Sequence, residues 1–341
     1  MVQKTNKDKI YNVGLIGLGF GRYVHLPAIK NTKRLNLASI FTKRDPTSVN
    51  IDGFDGALIT NSLSEFCEKI DVAIIAVPPN ELYDLILFLS EKSISLFVEK
   101  PLIFDKKNLI LDINKLKKSK IFVNYSYLSE LYFHIIKDLI DCQTHGRLES
   151  INVYWAVQSF ANLNKTENWK SSVSGGGGVM NLLGSHTVSI LNYLVHPLII
   201  EGAQSFQPLD LAPDQSETSI IFQGQGSDKT QFFAHITNNT NNYFEHSWKL
   251  QFCNAQVVLS NRTKNYFNNF YLDIHSNSGN SRKTFKIAGC RTDDRRYVTE
   301  RTYHEFIKYL DDDIEPLRNL KFALEVDEHL ETIRNLTQKC T

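Results

Sequence analysis

The chain has 341 residues, 42% of them hydrophobic and 22% charged, and 38 Lys and Arg against 37 Asp and Glu leave a formal net charge of +1. At roughly 100 to 200 residues per domain, that length predicts two domains, each with its own core. The near-neutral balance argues against a nucleic-acid binder and a polybasic membrane clamp, and no apolar run approaches the ~18 residues of a transmembrane helix.

The start, "MVQKTNKDKIYN", is polar and lacks the apolar stretch of a signal peptide, so a cytoplasmic protein is expected. Cys67, Cys142, Cys253, Cys290 and Cys340 are scattered and never spaced as C-x-x-C. The ten histidines form no H-x-x-x-H pair. Neither a disulfide framework nor a metal site is expected.

Up to about residue 123, short β-branched runs alternate with helical patterns, the signature of a parallel sheet wrapped by crossover helices. Strands are predicted over Tyr11–Gly17, Leu35–Thr42, Ala57–Thr60, Val72–Val77, Leu96–Glu99 and Ile121–Asn124. Several are apolar at nearly every position, as in strands buried on both faces. Between them "LYDLILFLSEK" and "KNLILDINKLKKSK" carry apolar residues at helical spacing and end in lysines, which suit a helix C-terminus.

After Asn124 comes a helix with Leu131, Ile135, Ile136, Leu139 and Ile140 on one stripe, then a strand, "SINVYWAVQS", that alternates and should have one wet face. A second helix follows the run Gly175 to Gly178. From Ser219 to Ile287 several alternating stretches, separated by Asn/Gly/Ser turns, read as a largely antiparallel open sheet. Pro316 to Leu336 is helical in pattern, with Pro316 in its first turn. The fold class is therefore α/β: a doubly wound parallel sheet over residues 1–123, then an α/β domain with a large, mainly antiparallel sheet over residues 124–341.

Directly after the first strand, "GLGFGR" brings Gly17, Gly19, Phe20, Gly21 and Arg22 to the mouth of a helix. Glycines there let the backbone turn tightly and approach a pyrophosphate, which sits at the positive helix N-terminus. The usual third small residue falls on Arg22, with Gly21 one place early. A purely structural glycine turn is the alternative. Some 20 residues on, the end of the second strand normally reads the adenosine ribose. Here it supplies Thr42, Lys43 and Arg44 and no carboxylate until Asp45, which favours NADP with NAD possible, unless these are simply solvated charges.

Past the fifth strand stands "EKP", Glu99 to Pro101, at the edge where open α/β sheets bind ligands. With "GLGFGRYVHLPAI", "AVPPNELYDL", "NYSY", "GRLESINVYW" and "ENWKSSVSGGGGVMNLLGSH" in order, the chain resembles the Gfo/Idh/MocA family of sugar and polyol oxidoreductases over nearly its whole length. The resemblance implies an N-terminal Rossmann domain and a C-terminal α/β domain whose sheet forms a homodimer or homotetramer. It implies a nicotinamide at their junction, near Glu99, Lys100, Pro78 and Pro79, and a C-terminal helix, about 316–337, that packs back on the first domain.

The resemblance further implies that Lys100 orients or polarises the reacting hydroxyl, and that a D-x-G-x-H stretch supplies a carboxylate and a general base. Gly184 and His186 match that stretch, but Leu182 stands in the aspartate slot. At about 100° per residue Asn181 lies about 140° around from His186 and should point elsewhere. The resemblance favours His186 as the general acid/base, the alternative being a hydrogen-bonded histidine on the core stripe with Leu182 and Ile190. Asn124, Tyr125, Trp169 and Lys170 occupy places that could line a substrate pocket or serve structure alone. The function expected is hydride transfer between a nicotinamide and a secondary alcohol or ketone of a sugar, polyol or related small molecule. The alternative is a catalytically silent nucleotide-binding sensor of the same fold, suggested by Leu182.

Overall fold

A computed structural model describes residues 9–54, 56–102, 112–158, 168–207, 214–290, 293–312 and 314–338. The chain divides into two compact units, Met1–Tyr125 with Arg295–Leu324, and Ser126–Asp294 with Glu325–Thr341.

The first unit is a six-stranded parallel sheet in the order β3-β2-β1-β4-β5-β6. Its strands are β1 Tyr11–Ile16, β2 Leu35–Phe41, β3 Leu58–Thr60, β4 Val72–Ile75, β5 Ser95–Val98 and β6 Ile121–Val123. Helices α1 Leu26–Asn31, α2 Leu63–Cys67 and α3 Leu82–Glu91 lie between them in the chain. All six expected strands form, and Val72 to Ile75 are buried throughout, as a two-sided sheet requires. Of the helix expected over 107–120, residues 112–116 are helical and 107–111 lie outside the described residues. Strand order reverses between β1 and β4, which opens a crevice at their carboxyl ends.

A helix the sequence pattern did not disclose, α6 Asp294–Asp312, belongs almost wholly to this unit. Nine of its 19 residues are charged, yet Val298, Thr299, Thr302, Tyr303, Phe306 and Ile307 are buried. These positions recur at the spacing of one helical face. Tyr303 and Phe306 pack on Phe97, whose ring stacks on Phe122 at 5.3 Å. Burying such a ring stabilises the unit by about 1.5–3 kcal/mol. At the end of α6, Asp311 takes a two-pronged contact from Arg34 (2.5 and 2.8 Å) and a hydrogen bond from the Tyr11 hydroxyl (2.9 Å). The Arg34 guanidinium, ahead of Tyr11, holds the Asp311 carboxyl below its ordinary range.

The second unit is built on an eight-stranded sheet in the order β14-β13-β12-β11-β7-β10-β9-β8. Its strands are β7 Leu148–Ala156, β8 Ile199–Phe206, β9 Ser219–Gln225, β10 Gln231–Thr237, β11 Glu245–Phe252, β12 Ala255–Asn261, β13 Phe270–Ser276 and β14 Gly279–Phe285. Every neighbouring pair is antiparallel except β7 and β10. On β7, Ile151, Val153 and Trp155 are buried while Asn152 is exposed, the wet and dry faces expected of an alternating strand. Helices α4 Leu131–Asp141 and α5 Ser185–Val195 cover the dry face, with Phe133 against Trp248 (5.2 Å) and Tyr132 on Phe270 (4.6 Å). Edge strand β8 escaped the pattern reading because it has no clean alternation and shifts register between Ile200 and Gly202. The last helix, α7 Leu320–Gln338, starts later than expected, because Asn319 pairs with Phe122 and Arg318 accepts from Val123 N–H first. Pro316 therefore precedes the helix.

Among the described residues no helix is long and apolar enough to cross a membrane, and no cluster of His, Cys, Asp or Glu could hold a metal.

Candidate active site

Gly17 leaves β1 with φ +97°, and a side-chain carbon there would stand 2.3 Å from the carbonyl oxygen of Ala76. Only glycine fits so close an approach in that conformation. The turn thus seats against the end of β4, just before Pro78 and the buried Pro79, which opens the turn Pro79–Glu81. At Gly19 a Cβ would meet no atom within 4 Å, whereas at Gly21 it would touch Leu15. Gly19 therefore borders open space, and Gly21 packs the following helix onto the strand. That helix begins with a wide π-type turn, Gly21–His25, and continues as α1. The residues fit a pyrophosphate: a helix start, open space at Gly19 and backbone free of side chains.

At the end of β2, the Thr42 hydroxyl accepts from Arg44 N–H (3.1 Å). Lys43 is paired with Glu81 at 2.5 Å, a carboxylate the local sequence could not reveal because it arrives from the β4 side of the sheet. Asp45 turns back to accept from the Thr47 hydroxyl and N–H, which lower its pKa, so it does not pair with Arg44. The Arg44 side chain is exposed and has no partner among the described residues. Arg22, in the third-glycine slot, donates to the carbonyl of Asn50 (2.9 Å).

At the end of β5 a polar cluster assembles that the sequence did not announce. Glu99 N–H donates to the Ile75 carbonyl, which fixes the "EKP" backbone beside β4, and the Lys100–Pro101 peptide is cis. Glu99 Oε1 accepts from Asn124 Nδ2 (2.7 Å) and lies 3.1 Å from His25 Nε2. His25 is fully buried, and its Nδ1 meets the Tyr303 hydroxyl at 2.6 Å. A carboxylate only accepts, so Nε2 carries a proton toward Glu99, while Nδ1 and the Tyr303 hydroxyl share the second hydrogen bond. Burial, with a smaller push from Glu99, raises the Tyr303 phenol well above its ordinary pKa. Phe20 packs edge-on against His25 at 5.3 Å, under the Arg295 guanidinium. Asn124 thus meets Glu99, while the neighbouring Tyr125 is fully buried against Phe322 and gives its carbonyl to Arg318.

In the second unit, His186 stands at the start of α5, almost fully buried, edge-on to Tyr127 (5.0 Å) and tilted to Trp155 (6.2 Å). A π-type turn, Met180–Gly184, precedes it, so a wheel of 100° per residue holds only from Ser185 onward. Asn181 nonetheless points elsewhere, as expected. Its Nδ2 donates to the Gly176 and Gly177 carbonyls and its Oδ1 accepts from Arg334 (2.6 Å). It ties down the glycine run rather than standing in for an aspartate.

That run is needed for close approach. At Gly177 a Cβ would lie 2.4 Å from the Trp169 carbonyl, and at Gly178, φ +97°, 2.3 Å from Glu217 Oε1. Gly178 N–H donates to the Lys170 carbonyl, so the run fixes the turn that carries half-buried Trp169 and exposed Lys170. Glu217 caps Met180 N–H, and its burial pushes the carboxyl up.

Beyond Tyr127 and Trp155 lies a small cleft of about 30 Å³, lined also by Gln158, His246, Asn261 and Tyr266. His246 stacks flat on Trp155 at 3.9 Å and accepts from the Trp248 indole. Burial drives its pKa down to about 3, so it stays neutral.

Residues 11–125 match the Gfo/Idh/MocA model, described as an oxidoreductase family with an NAD-binding Rossmann fold. A curated oxidoreductase from Synechocystis sp. is 24% identical over 285 residues, 79% of this chain and 77% of its own. Among solved structures, levoglucosan dehydrogenase with NADH and L-sorbose aligns at TM-score 0.82 and 17% identity over 97% of each chain. KijD10, a 3-ketoreductase from Actinomadura kijaniata with NADP and TDP-benzene, gives 0.80 at 12% identity, covering 96% of this chain and 98% of that one. The WlbA dehydrogenase of Bordetella pertussis, with NADH and UDP-GlcNAcA, gives 0.78 at 18% identity, covering 98% and 97%.

Proposed function

We propose, for a chain whose residues 11–125 match the Gfo/Idh/MocA model of NAD-binding oxidoreductases, that it transfers a hydride between NADP and a secondary alcohol or ketone of a sugar, polyol or related small molecule. The observation that carries this reading is the pairing of a glycine turn open at Gly19 with a buried polar cluster holding Glu99 beside Lys100. Neighbours bound to L-sorbose and to UDP-GlcNAcA support a sugar-like substrate.

The nicotinamide, when bound, supplies the hydride chemistry. Gly17, Gly19, Phe20, Gly21 and Arg22 form the phosphate turn, Thr42, Lys43 and Arg44 read the adenosine end, and Pro78, Pro79 and Glu99 border the nicotinamide half. The Lys100 ammonium stabilises negative charge developing on the reacting oxygen. His186 exchanges the hydroxyl proton, an imidazole being suited to do so near neutral pH. Asn124, Tyr125, Trp169 and Lys170 support the substrate, Tyr125 from within the core. The first unit is the cofactor domain and the second the substrate domain. Absorbance at the nicotinamide band, with purified protein and a panel of sugars, polyols and sugar nucleotides, tests the reading. Cofactor binding with no turnover on any of them would favour the silent sensor, whose structural motive is that Asn181 is occupied by the glycine run and Arg334.

His186→Asn is expected to lower turnover by about 10²-fold, to remove a limb of the pH profile near neutrality and to leave melting little changed. A large loss of melting temperature with an unchanged rate per folded molecule would make His186 a core residue instead.

The wet face of the eight-stranded sheet, with Asn152, Gln223 and the 40% exposed Phe233, is the surface proposed to join subunits into a dimer or tetramer. Phe233→Asp is expected to shift the mass seen by light scattering toward the monomer, and an unchanged mass would move the interface elsewhere.

A further inference from the structure

Glu99 is held from one side only. Both of its protein hydrogen bonds, from His25 Nε2 and Asn124 Nδ2, end on Oε1, and Oε2 has no partner among the described residues. The side chain is 16% exposed, so that oxygen belongs to a largely desolvated carboxylate. Half-buried and without a protein partner among the described residues, that oxygen is placed to accept from a bound hydroxyl. Behind Oε1 the chain of contacts runs through the fully buried His25 to the fully buried Tyr303 and stops there. Among the described residues it continues no further, so it offers no proton path through Tyr303. It can fix a direction.

We propose that His25 is a positioning residue: acting through Glu99, and itself oriented by Tyr303 on α6, it presents Glu99 Oε2 as the fixed acceptor for a hydroxyl of the bound dinucleotide. The inference rests on the cofactor reading above. A flexible glutamate would have to be ordered at each binding event, at a cost in side-chain entropy. Here the cost is met on folding, because His25 sits on the helix that follows the phosphate turn and Glu99 follows β5. The same helix that meets the pyrophosphate thereby sets the acceptor on the neighbouring strand.

The two ring nitrogens can be tested apart. His25→Gln keeps an amide N–H where Nε2 stands and so retains the bond to Glu99, while giving up Tyr303. His25→Asn keeps a polar group where Nδ1 stands and so retains Tyr303, while giving up Glu99. Fluorescence titration with NADPH and NADH is expected to show His25→Asn about 10-fold or more weaker than wild type and His25→Gln within about 3-fold, since a hydrogen bond to a charged group is at stake. A histidine that merely fills the core predicts equal losses, with affinity following the melting temperature. Equal affinities in the two variants, or the reverse order, overturn the proposal.

Glu99→Gln gives a reading that does not depend on either His25 variant folding. Its amide oxygen can still accept from His25 and Asn124, which turns the second position into an N–H₂ donor. Cofactor affinity is expected to fall about 10-fold with little change in melting, and unchanged affinity overturns the acceptor role. Failure of the wild type to bind either dinucleotide would overturn the redox reading itself. Normal wild-type binding with three indifferent variants would overturn the positioning role alone.

Discussion

Lys100→Met is expected to bind NADPH about as well as the wild type and to turn over about 10²-fold more slowly or worse. Methionine preserves much of the length and apolar character of the lysine stem while removing the ammonium. The backbone at this point is set by Glu99 N–H on the Ile75 carbonyl and by Asn124 N–H on the Val98 carbonyl, neither of which needs the charge. The glycine turn after β1 and the cations after β2 are on other strand ends, so the proposed phosphate contacts stay in place. In the proposed role, what disappears is an interaction that strengthens as charge gathers on the reacting oxygen, which would lower kcat and kcat/KM together. Cofactor titration beside steady-state kinetics separates the two effects. A variant that binds and turns over normally would remove Lys100 from the chemistry.

The parts of the fold that were legible in the sequence are those in which local pattern and final burial coincide. The first sheet is buried on both faces, so each strand shows as an unbroken apolar run, and β1 to β6 fall within about two residues of where the runs predict them. Helix α6 was hidden because charged residues interrupt its apolar ones, and only the spacing of Val298, Thr302, Phe306 and their neighbours betrays a buried face. The same limit governs the site. Glycines after a strand and "EKP" after another are local signals. His25 with Tyr303 is not, since the two partners are 278 residues apart. The Lys43–Glu81 pair likewise joins residues 38 apart that meet only because β2 and β4 flank β1. Asn181 could be read as pointing away from His186, but its grip on the glycine run, and the arginine that completes it, required the folded chain.

That ion pair changes which residue should decide the choice of cofactor. Lys43 is 72% exposed and already paired with Glu81, so much of its charge is answered within the protein, although an exposed pair of this kind is worth only about 0–1 kcal/mol. Asp45, the carboxylate nearest in sequence, is taken up by Thr47 and leaves Arg44 unopposed. Arg44 is thus the cation at the end of β2 that can pair two phosphate oxygens with its planar guanidinium. Arg44→Asp replaces attraction for a 2′-phosphate with repulsion and supplies a carboxylate that a free ribose 2′-hydroxyl can use. A charge-assisted hydrogen bond contributes about 1.5–3 kcal/mol, so NADPH affinity is expected to fall about 10- to 100-fold while NADH affinity holds or improves. The wild-type preference should narrow as salt rises, because the contact is exposed to screening. Titration of both cofactors against both proteins measures the switch. Equal wild-type affinities, or equal losses of both cofactors in the variant, would show that Arg44 reads solvent rather than phosphate.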